Sequence, residues 1–262
     1  MSQNKTNFAV PLAFVGMMFF AIGFALGINS FLIPVLKGAL SLPSGVAYLL
    51  LAATFVPFLI FGYPASATIA KIGYKRTMAL SFLIFAVAFI LFVLSAKLEN
   101  FILFLIASFV SGAANAYLQA SVNPYITILG PIESAAKRMS IMGICNKLAW
   151  PVAPLFFALV VADQTNVQTS DLYLPFYIII GVFLLLGIIS LMAPLPEVKA
   201  AGEDESDTAN CPYAANKTSI WQFPHLVLGA LTLFIYVCFS SRNGNDGKHI
   251  FVCKKVYRPN PL

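Results

Sequence analysis

Six stretches of this chain are apolar enough, over a sufficient length, to cross a lipid bilayer, and that decides most of what it can fold into. A spanning helix needs roughly 20 apolar residues, and the runs at 8–36, 46–70, 77–96, 101–129, 139–161 and 172–195 qualify. In hydrocarbon every backbone N–H and C=O must be paired internally, so only helices or closed barrels can span. Runs of this length, joined by short connections of Gly, Pro, Ser and Asn, predict helices. The expected fold class is all-α: a polytopic membrane bundle of six transmembrane helices plus an incomplete seventh. Several runs exceed a bilayer's thickness, so tilting or kinking is expected, with Pro34, Pro57, Pro124, Pro151 and Pro154 as the kink points.

Charge sets the orientation. With the N-terminus in the cytoplasm, Lys71, Lys75, Arg76, Lys137 and Arg138 fall inside, while the outer loops hold Lys37, Lys97, Asp163 and Asp171. That is the positive-inside pattern. Only 10% of residues are charged, against about 25% in soluble domains. The net charge of +6 lies in short loops and a tail, not on a basic face, so no nucleic-acid partner is expected. The first run is too long, and lacks the polar release site, for a cleavable signal peptide. Cys145, Cys211, Cys238 and Cys253 show neither metal nor redox spacing.

The expected organisation is a six-helix bundle at 1–195, a cytoplasmic linker at 196–224, the start of a seventh span at 225–237 and a basic tail at 238–262. Hydrophobicity returns at His225 and stops after about 14 residues, marginal for spanning. From Cys238 composition changes in mid-helix with no turn signal, so the tail reads either as a soluble terminus or as sequence beyond a lost reading frame. Six spans, a polar linker and the opening of a seventh form half of a twelve-span plan. Transporters of that plan are built from inverted three-span repeats with their sites at the repeat interface. Here spans one and four each carry amides and a proline, at Asn29 to Pro34 and at Asn123-Pro124, so a 3+3 inverted repeat is expected.

The polar residues inside the apolar runs are the candidate functional groups. Ser111, Asn115, Gln119 and Asn123 recur every four residues, one slowly drifting stripe on a helix. Asn29 and Asn146 add two more amides, and Trp150 lies one turn from Asn146. An amide donates and accepts, as does a sugar hydroxyl, so amides beside an aromatic platform suit a neutral sugar. The same amides could instead bind neighbouring helices, at about 0.6 kcal/mol on average. Gly16, Gly23, Gly27 and Ser30 form a small-residue stripe that either a helix or a ligand could approach. Lys147 lies nine residues past Arg138, near mid-membrane. It either snorkels to the cytoplasmic face or meets water or substrate. No enzyme signature is present: no nucleophile elbow, no HExxH and no phosphate-binding Gly loop. All ten acidic residues fall outside the six runs, so paired-carboxylate chemistry is absent from them.

Asn123-Pro-Tyr-Ile-Thr-Ile-Leu-Gly-Pro131 followed by Glu-Ser-Ala-Ala-Lys-Arg138, with Asn29-Ser-Phe-Leu-Ile-Pro34 and Asn146-Lys147, resembles the major facilitator superfamily. More closely, the chain resembles its fucose/galactose/glucose permease group, in the bacterial glucose/galactose branch, over residues 8–237. The superfamily's loop signature survives as Lys71-Ile-Gly-Tyr-Lys-Arg76, with Ser66 and Ala70 where a glycine and an aspartate are usual. The resemblance implies twelve spans, alternating access and cation-coupled sugar uptake across a bacterial inner membrane. It also implies that Asn146 faces substrate. Fucose permeases carry an aspartate at the position of Ser30, a glutamate at Gln119 and a glutamine at Gly143. Both proton-handling carboxylates are therefore absent, which leaves the coupling ion open between H+ and Na+. No cofactor is expected. The expected substrate-binding set is Asn29, Ser30, Asn115, Gln119, Asn123, Asn146, Lys147 and Trp150. Its partners are a monosaccharide, the bilayer, and either a C-terminal bundle or a second copy. The competing reading is a non-transporting six-span scaffold or sensor acting as a dimer.

Overall fold

The computed structural model describes residues 9–130, 132–161, 169–193, 224, 227–232 and 235. The chain divides into two compact units, residues 1–200 and 201–262. In the second unit the described residues are helical, and they fall at the expected opening of a seventh span. The basic tail and all of the linker before Pro224 lie outside the described residues.

The first unit is helical throughout its spans: α1 (Ala9–Ala39), a short α2 (Ser44–Ala47), α3 (Leu49–Lys97), α4 (Phe101–Ile128), α5 (Ala135–Val160) and α6 (Tyr173–Met192). Five of these helices are long and apolar enough to cross a membrane. The expected connection at 71–76 has vanished, because the second and third expected spans are the two arms of α3. They meet at Gly73, whose φ of 82° and ψ of 169° break the helix at a single residue. A positive φ costs glycine nothing and other residues more. The expected loop at 71–76 is thus a hinge, and Thr77 closes it by donating its hydroxyl to the Gly73 carbonyl at 2.8 Å.

Three packed helix pairs are related by exchange of the two halves. The α1 helix packs on α5, the first arm of α3 packs on α4, and the second arm packs on α6. Exchanging α1 with α4, the first arm with α5 and the second arm with α6 maps each pair onto a pair of the same set. That is the expected 3+3 repeat, with α1 and α4 in mutual contact at its centre.

Glycine makes the two equivalent contacts. A Cβ built on Gly23 of α1 would overlap the backbone carbonyl of Asn146 on α5. One on Gly27 would sit 2.7 Å from the Trp150 carbonyl, and one on Gly112 of α4 would overlap the Thr54 carbonyl of α3. The small-residue stripe of α1 is therefore a helix-packing seam at Gly23 and Gly27. Lipid is as apolar as leucine, so close backbone approach and van der Waals contact drive association here. The third pair packs differently, through aromatic rings. Phe85 and Phe89 lie 4.8 and 5.4 Å from Phe183, and Phe92 lies 5.5 Å from Phe176, centroid to centroid.

Both ends of α4 are secured by side chains. The Asn100 carboxamide oxygen accepts from the Ile102 and Leu103 amides at 2.9 and 3.4 Å. At the other end the buried Arg138 donates to the carbonyls of Ile126 and Thr127 at 3.2 and 3.1 Å, and to Ser134. Carbonyls at a helix C-terminus lack intrahelical donors, and a guanidinium supplies several at once.

Gly23→Val and Gly112→Val are expected to lower unfolding stability by about 1–3 kcal/mol, read as a fall in melting temperature in detergent. Gly143→Ala is the control, since nothing lies within 4 Å of a Cβ there. Wild-type melting in both valine variants would remove the backbone contacts as the source of cohesion.

Candidate functional site

The amide stripe of α4 rotates as it rises, and the structure divides the expected site residues into two groups. The inner group is fully enclosed. Asn115 is 0% exposed and Asn29 is 1% exposed. Asn29 Nδ2 donates to Ser111 Oγ at 3.4 Å, joining α1 to α4. Its Oδ1 has no partner, and neither carboxamide atom of Asn115 has one. Ser108, one turn before Ser111, is also buried with a partnerless hydroxyl. Each unsatisfied buried group costs about 1–3 kcal/mol. Sequence reasoning passed over Ser108, although its spacing of three and seven from Ser111 and Asn115 places all three on one helical face. On α6, Ser190 is a further buried, unpartnered hydroxyl that the pattern did not single out.

The outer group lies partly open. Ser30, Gln119, Asn123 and Asn146 are half-buried, and Lys147 and Trp150 are exposed. Ser30 donates back to the Leu26 carbonyl at 3.1 Å, within its own helix. Asn146 Nδ2 donates to the Phe19 carbonyl of α1 at 3.0 Å, one turn before Gly23. Its amide therefore serves the α1–α5 seam directly. Lys147 Nζ stands 5.1 Å from the Trp150 ring centroid, within cation–π range. Lys147 lies in mid-helix on an exposed face of α5, and no acidic residue occurs in any described span. An ammonium facing acyl chains costs about 2.5–3.5 kcal/mol, so protein or water is the more favourable neighbour for this face.

A separate cavity of about 300 Å³ opens between α1, α5 and α6, lined by Met17, Phe20, Phe24, Phe156, Ile178 and Val182 among others. Its lining is wholly apolar, so it offers a polyol nothing to bond.

A family model described as Major Facilitator Superfamily matches residues 14–244. The chain belongs to that superfamily. Its members are membrane transporters, not enzymes. The chain is 32% identical over 241 residues to the glucose/galactose transporter of Brucella abortus biovar 1 (strain 9-941), covering 90% of this chain and 57% of that protein. It is 23% identical over 254 residues to the L-fucose-proton symporter of Escherichia coli (strain K12), covering 89% and 58% respectively. The crystal structure of the superfamily transporter FucP in the outward conformation superposes with a TM-score of 0.63 at 21% identity, over 80% of this chain and 57% of that one. That likeness places the fold: the chain spans just under three fifths of the curated relatives it matches.

Asn146→Leu separates a seam amide from a ligand amide. Loss of the Phe19 bond alone should cost about 0.6 kcal/mol, and at most about 1.7, in detergent melts. A larger loss would mean that Asn146 is chiefly structural.

Proposed function

We propose that the complete protein is a cation-coupled symporter for a neutral monosaccharide such as glucose, galactose or fucose. The six-span unit supplies one wall of its pathway. The observation that carries this reading is the partly open polar set: half-buried Gln119 and Asn123 on α4, and half-buried Asn146 with exposed Lys147 and Trp150 on α5. Amides pair with hydroxyls in both senses, and an indole offers the apolar face of a sugar a flat surface. Relatives named glucose/galactose transporter and L-fucose-proton symporter support the substrate class.

In this reading a second six-span bundle closes over the exposed α5 face, and the two rock about a midplane site. The exposed lysine argues for such a cover, since lipid cannot face it without cost. A second copy of the chain would cover it equally well, the dimeric-scaffold alternative. The positive-inside distribution of Lys and Arg supports a cytoplasmic N-terminus and a bacterial inner membrane as the site of action.

Gln119→Ala and Asn146→Ala in the full-length protein are each expected to lower sugar uptake in cells about tenfold or more, at unchanged membrane abundance. A single lost bond to a hydroxyl is worth about 1–1.5 kcal/mol, which is roughly that factor. Undiminished uptake in both variants would sink the site. A stable homodimer in membrane crosslinking, with no sugar flux, would favour the scaffold.

A further inference from the structure

We infer that the outward face of α3 beside Gly73 is a binding site for an anionic phospholipid, its phosphate head group held by Lys71, Lys75 and Arg76. This inference does not depend on which solute the protein carries.

The three cations have no partner in the fold. Lys71 and Arg76 are exposed and Lys75 is half-buried. Among the described residues, none of the three side chains makes a hydrogen bond or an ion pair. The whole of α3 (Leu49–Lys97) contains no acidic residue. Three positive charges within six residues therefore stand uncompensated at the break in the helix. Like charges repel, and an anion among them removes that repulsion.

The face that runs on from them has the dimensions of a lipid leaflet pair. Between Arg76 and Lys97 the exposed residues of α3 are Leu83, Val87, Ile90 and Leu94. From Arg76 to Lys97 these positions follow at spacings of seven, four, three, four and three, one stripe on a helix. The opposite side of the same arm is closed, with Phe82, Phe85, Phe89 and Phe92 in the core. A cation bounds the stripe at each end, and the 21 residues from one to the other rise about 31 Å. The hydrocarbon core of a bilayer is about 30 Å thick. A helix face of that length, apolar throughout and charged only at its ends, fits acyl chains with head groups above and below. A protein cover sets no such length.

The two ends differ in charge, and the difference selects the lipid and its leaflet. Lys97 lies two residues from Glu99, so the far end is close to neutral. The Gly73 end is not. On the positive-inside reading that end meets the cytoplasmic leaflet. A head group of net negative charge gains from each basic residue near the surface, and a zwitterionic one does not. Its acyl chains would lie along Leu83 and Val87, the half of the stripe nearer Arg76.

The position gives such a lipid something to act on. Gly73 is the residue at which α3 leaves helical geometry. Lys71 precedes it, on the arm that packs against α4, and Lys75 and Arg76 follow it, on the arm that packs against α6. A head group shared between cations of both arms would brace the hinge.

The test uses the purified 262-residue chain in a neutral detergent. Thermal melts are recorded with rising mole fractions of phosphatidylglycerol, with phosphatidylcholine of the same chains, and with inorganic phosphate. The expected result is a saturable rise of a few degrees with phosphatidylglycerol, weakened by salt, and no rise with the other two. Arg76→Gln should raise the half-saturating fraction about fivefold. Lys71→Gln, Lys75→Gln and Arg76→Gln together should abolish the rise. Lys97→Gln is the charge control and should keep it. Leu83→Gln leaves every charge in place and should still weaken the response, because the chain loses its track. Equal rises with the two lipids would overturn the proposal. So would a full response in the triple variant, or its loss in Lys97→Gln, which would make net charge the cause. An equal rise with inorganic phosphate would also overturn it, in favour of a soluble anion.

Discussion

Everything in this bundle depends on how closely two backbones can approach in a solvent that does not push them together. Lipid rewards contact density and penalises unpaired polar groups, but it gives no hydrophobic drive. At Gly23 and Gly27 the α5 backbone lies against α1, and at Gly112 the α3 backbone lies against α4. These contacts are equivalents in the two repeats. Each brings carbonyls of one helix against the missing side chains of another, a geometry any larger residue would prevent. The phenylalanine cluster around Phe176 and Phe183 serves the third pair, where rings of both helices fill the interface.

Close approach has a second consequence, since it decides which polar groups the bundle encloses. The α4 helix touches both repeats and is tied at each end, by Asn100 at one and Arg138 at the other. A helix held in that way cannot rotate to bring its stripe to a surface. Its first half therefore keeps Ser108, Ser111 and Asn115 inside, and its second half carries Gln119 and Asn123 outward. The division follows from the drift of a four-residue spacing around a helix of 3.6 residues per turn.

That drift was legible in the chain, and so were the helices, because both are local patterns. The spans matched their apolar runs to within a few residues, save that one turn contracted to Gly73. A lone glycine between two basic residues looks like a loop, yet one residue at positive φ suffices to redirect a helix. What spacing could not reveal was which face of each helix met which neighbour. Asn146 could be read from the sequence as ligand or as glue, and its bond to the Phe19 carbonyl depends on α1 lying a glycine's width away. Ser108 escaped notice because a serine in an apolar run is unremarkable until its face is known to be closed. Conversely, the seam at Gly23 and Gly27 was visible as a pattern, but only the packed structure gives it a helix for a partner.

Lys147 is the hardest residue to reconcile with hydrocarbon, and the energies show why it is tolerable. Inserting an ammonium at mid-membrane costs about 2.5–3.5 kcal/mol. A desolvated cation over an indole recovers about 2 kcal/mol, and Trp150 sits in range one turn away. The ring offsets much of the penalty but leaves a remainder. That remainder is small enough for the six-span unit to fold with the charge exposed. It still makes any polar cover over α5 more favourable than lipid. A residue placed in this way favours hydroxyls, water or an anionic group over acyl chains as its neighbours. The apolar cavity between α1, α5 and α6 carries no such charge. One helix thus presents two faces with opposite demands, one set by Lys147 and Trp150 and the other by the apolar side chains that line the cavity.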